Sequence, residues 1–272
     1  MTRLSSNGYP NVWQNCTVSC KESDQSTMVD FHRHVYYEVS LILSGDVKSM
    51  LGDRSVEGTQ SRLVLTAPQT PHWMCLASPS RYSRINLCFS EEFLADYVPE
   101  WRSLVQVFGN KGRILLLSDE QREFCRECLL AIQAEKSLFR QRLRILAFLS
   151  HVAELDQPTA STPIERPPSY IVEALTYIGE HYSERIVAQA LAWRLGVGRT
   201  TLMITFRKHT GSTLAEYITH VRVRAAIALL AQGVSQECAA EQVGFGSGGA
   251  LIRAFRHCYG MTPRQYMRSK GE

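Results

Sequence analysis

Ala192-Trp193-Arg194-Leu195-Gly196 is followed ten residues later by Phe206-Arg207-Lys208, and then by Gly211 and Tyr217. Near the end of the chain, Ala240-Glu241-Gln242-Val243-Gly244 is followed eleven residues later by Phe255-Arg256-His257, and then by Gly260 and Tyr266. The two segments are 48 residues apart before their turns and 49 residues apart after them. Each segment predicts a short helix, a turn at glycine and a second helix, which is the layout of a helix-turn-helix.

The two copies divide into matching elements. The first predicts a supporting helix over 187–195, a turn over 196–198 and a second helix over 199–209. The second has Ser235 as an N-cap, a supporting helix over 237–243, a turn over 244–247 and a second helix over 248–259. A longer helix over 213–230 joins them. The C-terminal part is therefore predicted to be all α-helical, with two helix-turn-helix units joined by a long helix.

The second helix of each copy has an apolar side and a basic side. Leu202 and Phe206 in one helix, and Leu251 and Phe255 in the other, are spaced to face inward. A helix of this length is about 16 Å long and fits a major groove about 12 Å wide. Two such helices predict double-stranded DNA as the partner. The predicted DNA-contacting residues are Arg199, Thr200, Thr201, Met203, Arg207, Lys208, Ser247, Gly249, Ile252, Arg253, Arg256 and His257.

The position of a basic residue along its helix predicts its role. Arg253 is the expected base contact, because it lies one and a half turns into the helix and arginine can bind O6 and N7 of guanine together. Arg207, Lys208 and Arg256 come later and are expected at phosphates. The alternative is that these side chains only form a solvated face. Ile204 is expected in the core, with a thymine methyl group as its other possible partner.

The repeated segments also resemble a known family. The resemblance lies in residues 195–211, in Val243-Gly244-Phe245, and in Tyr259-Gly260-Met261-Thr262-Pro263-Arg264-Gln265-Tyr266. Residues 170–269 are similar to the DNA-binding domain of the AraC/XylS family of bacterial transcription regulators. The resemblance implies promoter DNA as partner, and activation more often than repression, through contact with RNA polymerase. The chain departs from the family at Met203, Ile204, Gly248 and Gly249, where members often carry polar side chains, so its base contacts are expected to differ.

Composition and charge agree with a nucleic-acid partner. The chain has 272 residues, 44% hydrophobic and 21% charged, with a formal net charge of +4. Residues 167–272 hold 12 Lys and Arg against 7 Asp and Glu, whereas residues 1–166 hold 18 against 19. Residues 1–10 are polar and no apolar run approaches about 18 residues, so we expect a cytoplasmic protein without a signal peptide or membrane span.

The eight cysteines are expected to be reduced in that compartment. Cys125 and Cys128 form a lone CxxC in a predicted helix. A buried thiol pair is the favoured interpretation, and a redox or metal switch is the alternative.

Composition shifts along the chain predict four segments. Residues 156–169 contain four prolines and predict a linker before the DNA-binding domain at 170–269. Short apolar runs between 36 and 89 predict the strands of a small β-barrel or sandwich within a domain at 1–118. Residues 119–155 predict two helices with a break near 135–137, which would cover the barrel or pair with another subunit in a homodimer. Their predicted apolar stripes contain Phe124, Cys128, Leu129 and Ile132, and then Leu138, Ile145, Leu149 and Val152, with Phe139, Leu143 and Leu146 beside them.

A second resemblance concerns the front domain. His32, His34, Glu38 and Gly45 follow the spacing of the first cupin motif, and Pro68-Gln69-Thr70-Pro71-His72 resembles a shortened second motif. The resemblance implies a cupin-like β-barrel. In a cupin enzyme, His32, His34, Glu38 and His72 would bind a metal. AraC-type regulators commonly use this pocket for a small effector without metal, so neither a metal nor another cofactor is favoured. The expected pocket residues are His32, His34, Tyr36, Glu38, His72 and Trp73, with Tyr37 and Tyr82 as further aromatics that core packing also explains.

The combined interpretation is a non-enzymatic, effector-responsive transcription regulator with a front sensor barrel, a helical pair and a tandem helix-turn-helix domain. Effector binding would change which separation of DNA half-sites a dimer can occupy. Three alternatives stay open. They are a metal-dependent cupin enzyme fused to a DNA-binding tail, a redox sensor that uses Cys125 and Cys128, and a structural nucleoid protein.

Overall fold

The computed structural model describes residues 16–23, 29–78, 80–95, 101–155 and 167–271. They belong to two compact units, which divide between Arg166 and Pro167 and are described separately below. The predicted linker at 156–169 lies mostly outside the described residues, as does the polar start of the chain.

The described part of the first unit contains nine strands that pair into two antiparallel sheets. In chain order they are β1 (Thr17–Ser23), β2 (Val29–His32), β3 (Tyr37–Ser44), β4 (Val47–Leu51), β5 (Arg54–Gly58), β6 (Arg62–Thr66), β7 (His72–Leu76), β8 (Tyr82–Phe89) and β9 (Arg113–Leu116). One sheet has the order β1-β8-β3-β6-β9, and the other has the order β2-β7-β4-β5. The apolar runs between 36 and 89 thus form β3, β4, β6 and part of β8.

The sheets do not close into one barrel among the described residues. Strand β3 pairs with β6 and β8 in the first sheet, whereas β4 pairs with β5 and β7 in the second. The short turn after Ser44 therefore carries the chain from one sheet to the other instead of continuing a single ladder. The prediction of a β-rich front domain is confirmed, and its arrangement is the two-sheet alternative.

Helices cover the first sheet on its outer face. The described helical segments of this unit are α1 (Glu91–Ala95), α2 (Trp101–Leu104), a 3-10 turn (Val105–Phe108), α3 (Asp119–Ala134) and α4 (Leu138–Glu154). Val39 and Leu41 of β3 share one fully buried core with Leu129 of α3 and Leu149 of α4. The break between α3 and α4 lies where the sequence predicts it, and the hydroxyl of Ser137 accepts a hydrogen bond from the Arg140 amide at the start of α4.

The predicted apolar stripes of these helices are partly wrong. Cys125 is buried instead of Phe124, and Phe148 is buried in α4. Four predicted stripe residues are instead exposed by 41–54%, namely Phe124, Leu138, Phe139 and Leu143. One residue step rotates a side chain by about 100° around a helix, and the sheet that selects the buried side is absent from a local pattern. The pair therefore covers the sheet and also presents apolar surface to solvent.

All regular secondary structure in the described residues of the second unit is α-helical. Its helices are α5 (Ser169–His181), α6 (Ala188–Arg194), α7 (Arg199–Thr210), α8 (Leu214–Ala231), α9 (Gln236–Gln242), α10 (Gly248–Tyr259) and α11 (Pro263–Gly271). Helices α6 and α7 form the first helix-turn-helix, α9 and α10 form the second, and α8 joins them. The predicted elements agree with these bounds to within one residue at each end.

The two helix-turn-helix units repeat the same contacts. The Val197 amide donates to the Ala192 carbonyl at 3.0 Å, and the Phe245 amide donates to the Ala240 carbonyl at 2.8 Å. Both turns use a glycine in the left-handed region, with φ of 68° at Gly196 and 84° at Gly244. The sequence repeat therefore reflects a repeat of hydrogen bonds.

The repeat continues into the helices that follow. Thr213 and Glu216 form a capping box before α8, and Thr262 with Gln265 makes the equivalent bonds before α11. Tyr217 contacts Phe206 edge-on with 5.4 Å between ring centroids, and Tyr266 contacts Phe255 in the same way at 5.4 Å. Each helix-turn-helix is thus followed by a helix with the same N-terminal cap and by the same aromatic pair.

None of the helices within the described ranges combines the length and the apolar character that crossing a bilayer would require.

Candidate DNA-binding helices and front-domain cluster

Helices α7 and α10 have one buried side and one exposed side. Leu202 and Phe206 of α7, and Leu251 and Phe255 of α10, are fully buried. Burying a side chain of this size contributes about 1.5–3 kcal/mol, so these residues fix the rotation of each helix. The opposite side of each helix lies in solvent.

The predicted DNA-contacting residues all lie on accessible positions. Two of them, Met203 and Ile252, are half-buried. The exposed ones are Arg199, Thr200, Thr201, Arg207, Lys208, Ser247, Gly249, Arg253, Arg256 and His257. The hydroxyl of Ser247 already accepts a hydrogen bond from the Ala250 amide at 3.2 Å and caps α10. Any contact of Ser247 with another molecule must share that oxygen.

Ile204 differs from its expected position. Its side chain is 66% exposed, so the expectation that it belongs to the core is wrong. The inner side of α7 is already occupied by Leu202 and Phe206, and a residue two positions from each points away from them. Ile204 therefore adds apolar surface to the exposed side of α7.

The glycine pair at the start of α10 has two explanations. The Gly248 amide donates to the Glu237 carboxylate at 2.9 Å, and a Cβ atom at Gly248 would lie 2.3 Å from that same oxygen. Gly248 thus allows an acidic side chain of α9 to reach the N-terminus of α10, where negative charge is favourable. A Cβ atom at Gly249 would meet nothing closer than 3.7 Å. Of the two glycines, only Gly248 makes room for a neighbouring side chain, because a Cβ atom there would displace the Glu237 carboxylate.

The loop at residues 182–184, which lies between α5 and the first helix-turn-helix, contacts both α8 and the turn of the second helix-turn-helix. Arg222 of α8 donates to the Tyr182 carbonyl and to the Glu184 carbonyl, each at 2.7 Å. The turn of the second helix-turn-helix packs on the same loop, because a Cβ atom at Gly244 would lie 2.3 Å from the Ser183 carbonyl oxygen. This role of Arg222 is not predictable from the local sequence, because nothing local links Arg222 to a loop 38 residues earlier in the chain.

In the first compact unit (the front unit), the inner face of the first sheet carries buried polar side chains. Glu38 and Ser40 of β3 point away from the core that Val39 and Leu41 enter. The Ser40 hydroxyl lies 2.9 Å from Glu38 Oε1 and 2.9 Å from Asn86 Oδ1. Ser40 and Asn86 are not among the predicted pocket residues, although polar residues that alternate with apolar ones on buried strands are a signal for such a face.

His32, His34 and His72 lie together beside Glu38. His32 and His72 are cross-strand partners of β2 and β7, with 4.1 Å between their ring centroids. Nε2 of His34 is 3.5 Å from Glu38 Oε2. Burial alone would raise the pKa of Glu38. The contact with His34 and the electrostatic attraction of His72, His34 and Arg84 outweigh that effect and hold the pKa well below its usual range.

The predicted aromatic pocket residues take different positions. Tyr36 stacks on His34 with ring centroids 3.8 Å apart, and Trp73 lines a cavity beside Glu38 and His72. Tyr37 packs on Phe89 and Phe108 in the core below the helices. Tyr82 is buried in a separate cluster, where its hydroxyl lies 3.3 Å from the Met74 sulfur.

The cavity beside this cluster is small. It measures about 20 Å³ and is lined by Glu38, Ser40, Ser49, Met50, Val64, His72, Trp73, Met74 and Arg84. A cavity needs at least about 10–15 Å³ to hold one water molecule. In this conformation it therefore admits a water molecule or an ion but no organic molecule of several atoms.

The CxxC pair has the environment of unreactive thiols. Burial, with a smaller contribution from Cys128, raises the pKa of Cys125 to about 12. Burial and the nearby Glu127 carboxylate raise the pKa of Cys128 as well. Because the thiolate is the reactive form, both groups are poor nucleophiles at neutral pH.

Family models match both units. The AraC-like ligand binding domain matches residues 17–152, and a helix-turn-helix domain matches residues 191–269. A putative AraC-like transcription regulator of Streptomyces antibioticus is 32% identical over 97 residues, which are 35% of this chain and 32% of that protein. The HTH-type transcriptional regulator RipA of Corynebacterium glutamicum is 31% identical over 109 residues, covering 40% of this chain and 32% of RipA.

Other matches have lower sequence identity. An uncharacterized response regulatory protein of Staphylococcus epidermidis is 28% identical over 97 residues, which are 36% of this chain. The matches span 39% or less of the length of these curated relatives. ToxT of Vibrio cholerae is a solved structure with 14% identity and a TM-score of 0.43, and the match covers 93% of this chain and 98% of ToxT.

Membership follows from the front unit and the tandem helices together. The residues that match the AraC-like ligand binding domain make up half of the 272-residue chain, and the helix-turn-helix match begins in α6 of the second unit. The protein belongs to the AraC family.

Proposed function

We propose that the protein is a sequence-specific DNA-binding transcription regulator that acts in the cytoplasm and responds to a small effector. The observation that supports this proposal is that helices α7 and α10 each bury one side and expose arginines on the other. The buried residues are Leu202 and Phe206 in α7, and Leu251 and Phe255 in α10. Two such helices, placed one helical turn of DNA apart (about 34 Å), would enter successive major grooves on one face of the duplex.

Within this proposal the exposed residues divide by role. Arg253 reads a base, because it is exposed near the middle of α10 and its guanidinium can make a bidentate contact with guanine. Arg207, Lys208 and Arg256 lie near the C-terminal ends of their helices and bind phosphates. The exposed Ile204 contacts a thymine methyl group, which was the alternative to a core position.

The front unit is proposed to sense the effector and to dimerise. The exposed side chains of Phe124, Leu138, Phe139 and Leu143 give α3 and α4 an apolar surface. A groove of about 310 Å³ lies on the same helices and is lined by Phe124, Glu127, Cys128, Ala131, Arg144, Ala147 and Phe148. Pairing of two chains through this surface would make a homodimer. Effector binding would then change which separation of DNA half-sites the dimer can occupy. The protein would act as an activator, and effector binding would also change its contact with RNA polymerase.

The test begins with footprinting on the DNA upstream of the protein's own gene and its neighbours, which supplies the cognate site. Fluorescence anisotropy then measures affinity for that site and for competitor DNA. Arg253→Ala is expected to weaken specific binding by about 1–3 kcal/mol with little change in non-specific binding. Lys208→Ala is expected to weaken both and to reduce the salt slope by about one.

Arg102→Ala is the matched control, because Arg102 is an exposed arginine of the front unit. It should change neither affinity. Unchanged affinity of Arg253→Ala for the cognate site would contradict the proposed docking of α10. Equal affinity of the wild type for cognate and competitor DNA would contradict sequence-specific regulation and would instead favour a nucleoid protein.

A further inference from the structure

The groove between α3 and α4 has the size and lining of a site for a small organic molecule. It measures about 310 Å³, whereas the cavity beside Glu38 measures about 20 Å³. Sites for organic ligands typically measure about 300–1,000 Å³ and are lined mainly by apolar and aromatic side chains. Five of the seven side chains that line the groove are apolar, and two of these, Phe124 and Phe148, are aromatic. The groove therefore offers an organic ligand far more room than that cavity does.

Contacts within the chain shape the groove. Short side chains from both helices leave the space open, namely Cys128, Ala131 and Ala147. The Phe148 side chain is only 2% exposed, so the core fixes its position. The Phe124 ring is 41% exposed and contacts the His151 ring, with 3.9 Å between the ring centroids. One aromatic wall is therefore anchored in the core, and the other still presents ring surface to a ligand.

Two charged side chains line the groove, and they differ in their contacts. Nε of Arg144 lies 3.5 Å from the Glu135 carboxylate, which Nε of Arg140 also contacts at 3.1 Å. Within the part of the chain that the structure describes, the Glu127 carboxylate has no hydrogen bond or close ion pair. A ligand that neutralises Glu127 would therefore not have to break an existing contact.

The thiol of Cys128 reports which of the two charges dominates inside the groove. Burial contributes most to the raised pKa of Cys128. The Glu127 carboxylate raises this pKa further, and its effect exceeds the opposite effect of Arg144. Negative potential raises the pKa of a thiol because it disfavours the thiolate. The potential at this lining side chain is therefore negative on balance and favours a cationic ligand.

We propose that the groove binds a lipophilic organic cation, with its apolar body between Phe124 and Phe148 and its positive charge beside Glu127. The aromatic rings favour the same sign of charge, because the face of a ring attracts cations. Amines and quaternary ammonium or phosphonium ions with aromatic substituents belong to this class. Burial of their apolar part against the Ala131 and Ala147 side chains supplies the remaining affinity.

The role of this ligand as the effector rests on the proposed function, whereas its binding does not. Phe124 lines the groove and also belongs to the exposed apolar surface through which two chains are proposed to pair. A ligand beside Phe124 adds apolar surface there and favours pairing, because a ligand that binds the dimer more tightly stabilises it. This site differs from the pocket between the sheets that the family resemblance implies.

Tetraphenylphosphonium and tetraphenylborate test the proposal, because these two ions have nearly the same shape and opposite charge. Isothermal titration calorimetry of the full chain is expected to show one tetraphenylphosphonium ion per chain. Tetraphenylborate should bind at least about 10-fold more weakly. In analytical ultracentrifugation, tetraphenylphosphonium should also raise the dimer fraction.

Glu127→Gln removes the charge and nearly preserves the shape of the side chain. It should weaken the binding of tetraphenylphosphonium by about 3- to 10-fold and should not weaken the binding of tetraphenylborate. Glu120→Gln is the matched control, because Glu120 is an exposed carboxylate of α3 that does not line the groove. This control should bind both ions as the wild type does.

Ala147→Trp tests the location of the site by filling the groove. It should abolish saturable binding of both ions. Ala153→Trp is its matched control, because Ala153 is an exposed alanine of α4 outside the groove, and it should bind as the wild type does. Both alanines are exposed, so neither tryptophan has to enter the core.

Three results would overturn the inference. The first is a wild-type chain without saturable binding of tetraphenylphosphonium, or with equal affinity for tetraphenylborate. The second is equal behaviour of a groove variant and its matched control. The third is binding that weakens as the dimer fraction rises, since a second chain would then cover the groove.

DNA anisotropy separates this inference from the proposed function. Specific DNA binding by a protein that takes up no tetraphenylphosphonium would overturn the groove site alone. Binding of tetraphenylphosphonium with the expected variant pattern, in a protein without specific DNA binding, would support the groove site and remove the regulator proposal.

Discussion

Replacing Gly244 by alanine tests how the second helix-turn-helix packs on the 182–184 loop. Gly244 has φ of 84°, a conformation that costs an alanine about 1–2 kcal/mol. A Cβ atom there would also lie 2.3 Å from the carbonyl oxygen and 2.8 Å from the carbonyl carbon of Ser183. These are backbone atoms, so the turn or the 182–184 loop must move, which adds about 1–3 kcal/mol.

Gly196 is a matched control, because it occupies the equivalent turn of the first helix-turn-helix. Its φ of 68° imposes a similar backbone penalty, but a Cβ atom there would meet nothing within 4 Å. Gly196→Ala should therefore lower the local free energy of unfolding by about 1–2 kcal/mol only. The difference between the two variants isolates the contact with Ser183.

Hydrogen exchange of the full chain measures both effects locally. The amides of α9 and α10 in Gly244→Ala should gain more in exchange rate than those of α6 and α7 in Gly196→Ala. The expected excess is about 5- to 150-fold, which corresponds to the added 1–3 kcal/mol. The Glu184 amide, which donates to the His181 carbonyl at 2.9 Å, should also lose protection in Gly244→Ala, because the 182–184 loop must move to make room for the Cβ atom. Equal changes in the two variants would refute the idea that Ser183 makes Gly244 the more sensitive position.

Three further predictions concern other parts of the chain. At pH 8, iodoacetamide should label the exposed Cys20 and Cys238 in the native protein. Cys125, whose pKa is about 12, should react only when the pH approaches that pKa or after unfolding. Labelling of native Cys125 at pH 8 would restore the redox-sensor alternative. Phe139→Glu should lower the dimer fraction in analytical ultracentrifugation, because Phe139 is an exposed apolar residue of α4. Trp193→Glu, which changes an exposed apolar residue of the second compact unit, should leave the dimer fraction unchanged. Equal effects of the two variants would argue against pairing through α3 and α4. Gly249→Ala should raise the free energy of unfolding by about 0.5–1 kcal/mol in urea titrations, because its Cβ atom would meet nothing closer than 3.7 Å. A loss of stability would show that the added methyl group does not fit at this position.

The tandem helices were predictable because their signals are local. Gly196, Gly211, Gly244 and Gly260 each occupy a left-handed position that follows a helix, and Ser235 caps α9 as its position in the sequence predicts. The apolar pairs at 202 and 206, and at 251 and 255, set the buried side without reference to any distant element. Ile204 was misplaced because both its neighbours and its hydrophobicity favour burial, while its direction on the helix does not.

The front unit was less predictable because its partners are distant in the chain. Strand β2 alternates apolar and polar residues but is only four residues long, and β5 contains arginine and glutamate, so neither gives as long an apolar signal as β3. The resemblance to the cupin motifs singled out His32, His34, Glu38 and His72, but it could not show which carbonyl oxygens would orient the rings. Those oxygens belong to Tyr36 and Thr70, and their positions depend on how the adjacent turns fold.

The loop at residues 182–184 has a consequence for the arrangement of promoters that the protein can use. If Arg222 and Gly244 keep both reading helices in one rigid frame, the protein cannot adjust to a changed distance between the two sequence elements that one chain contacts. Inserting a single base pair between those elements would shift them by about 3.4 Å and rotate them by about 34–36° around the duplex axis. The DNA would have to untwist or bend to restore contact, so operators for this protein should tolerate base changes in that spacer far better than changes in its length.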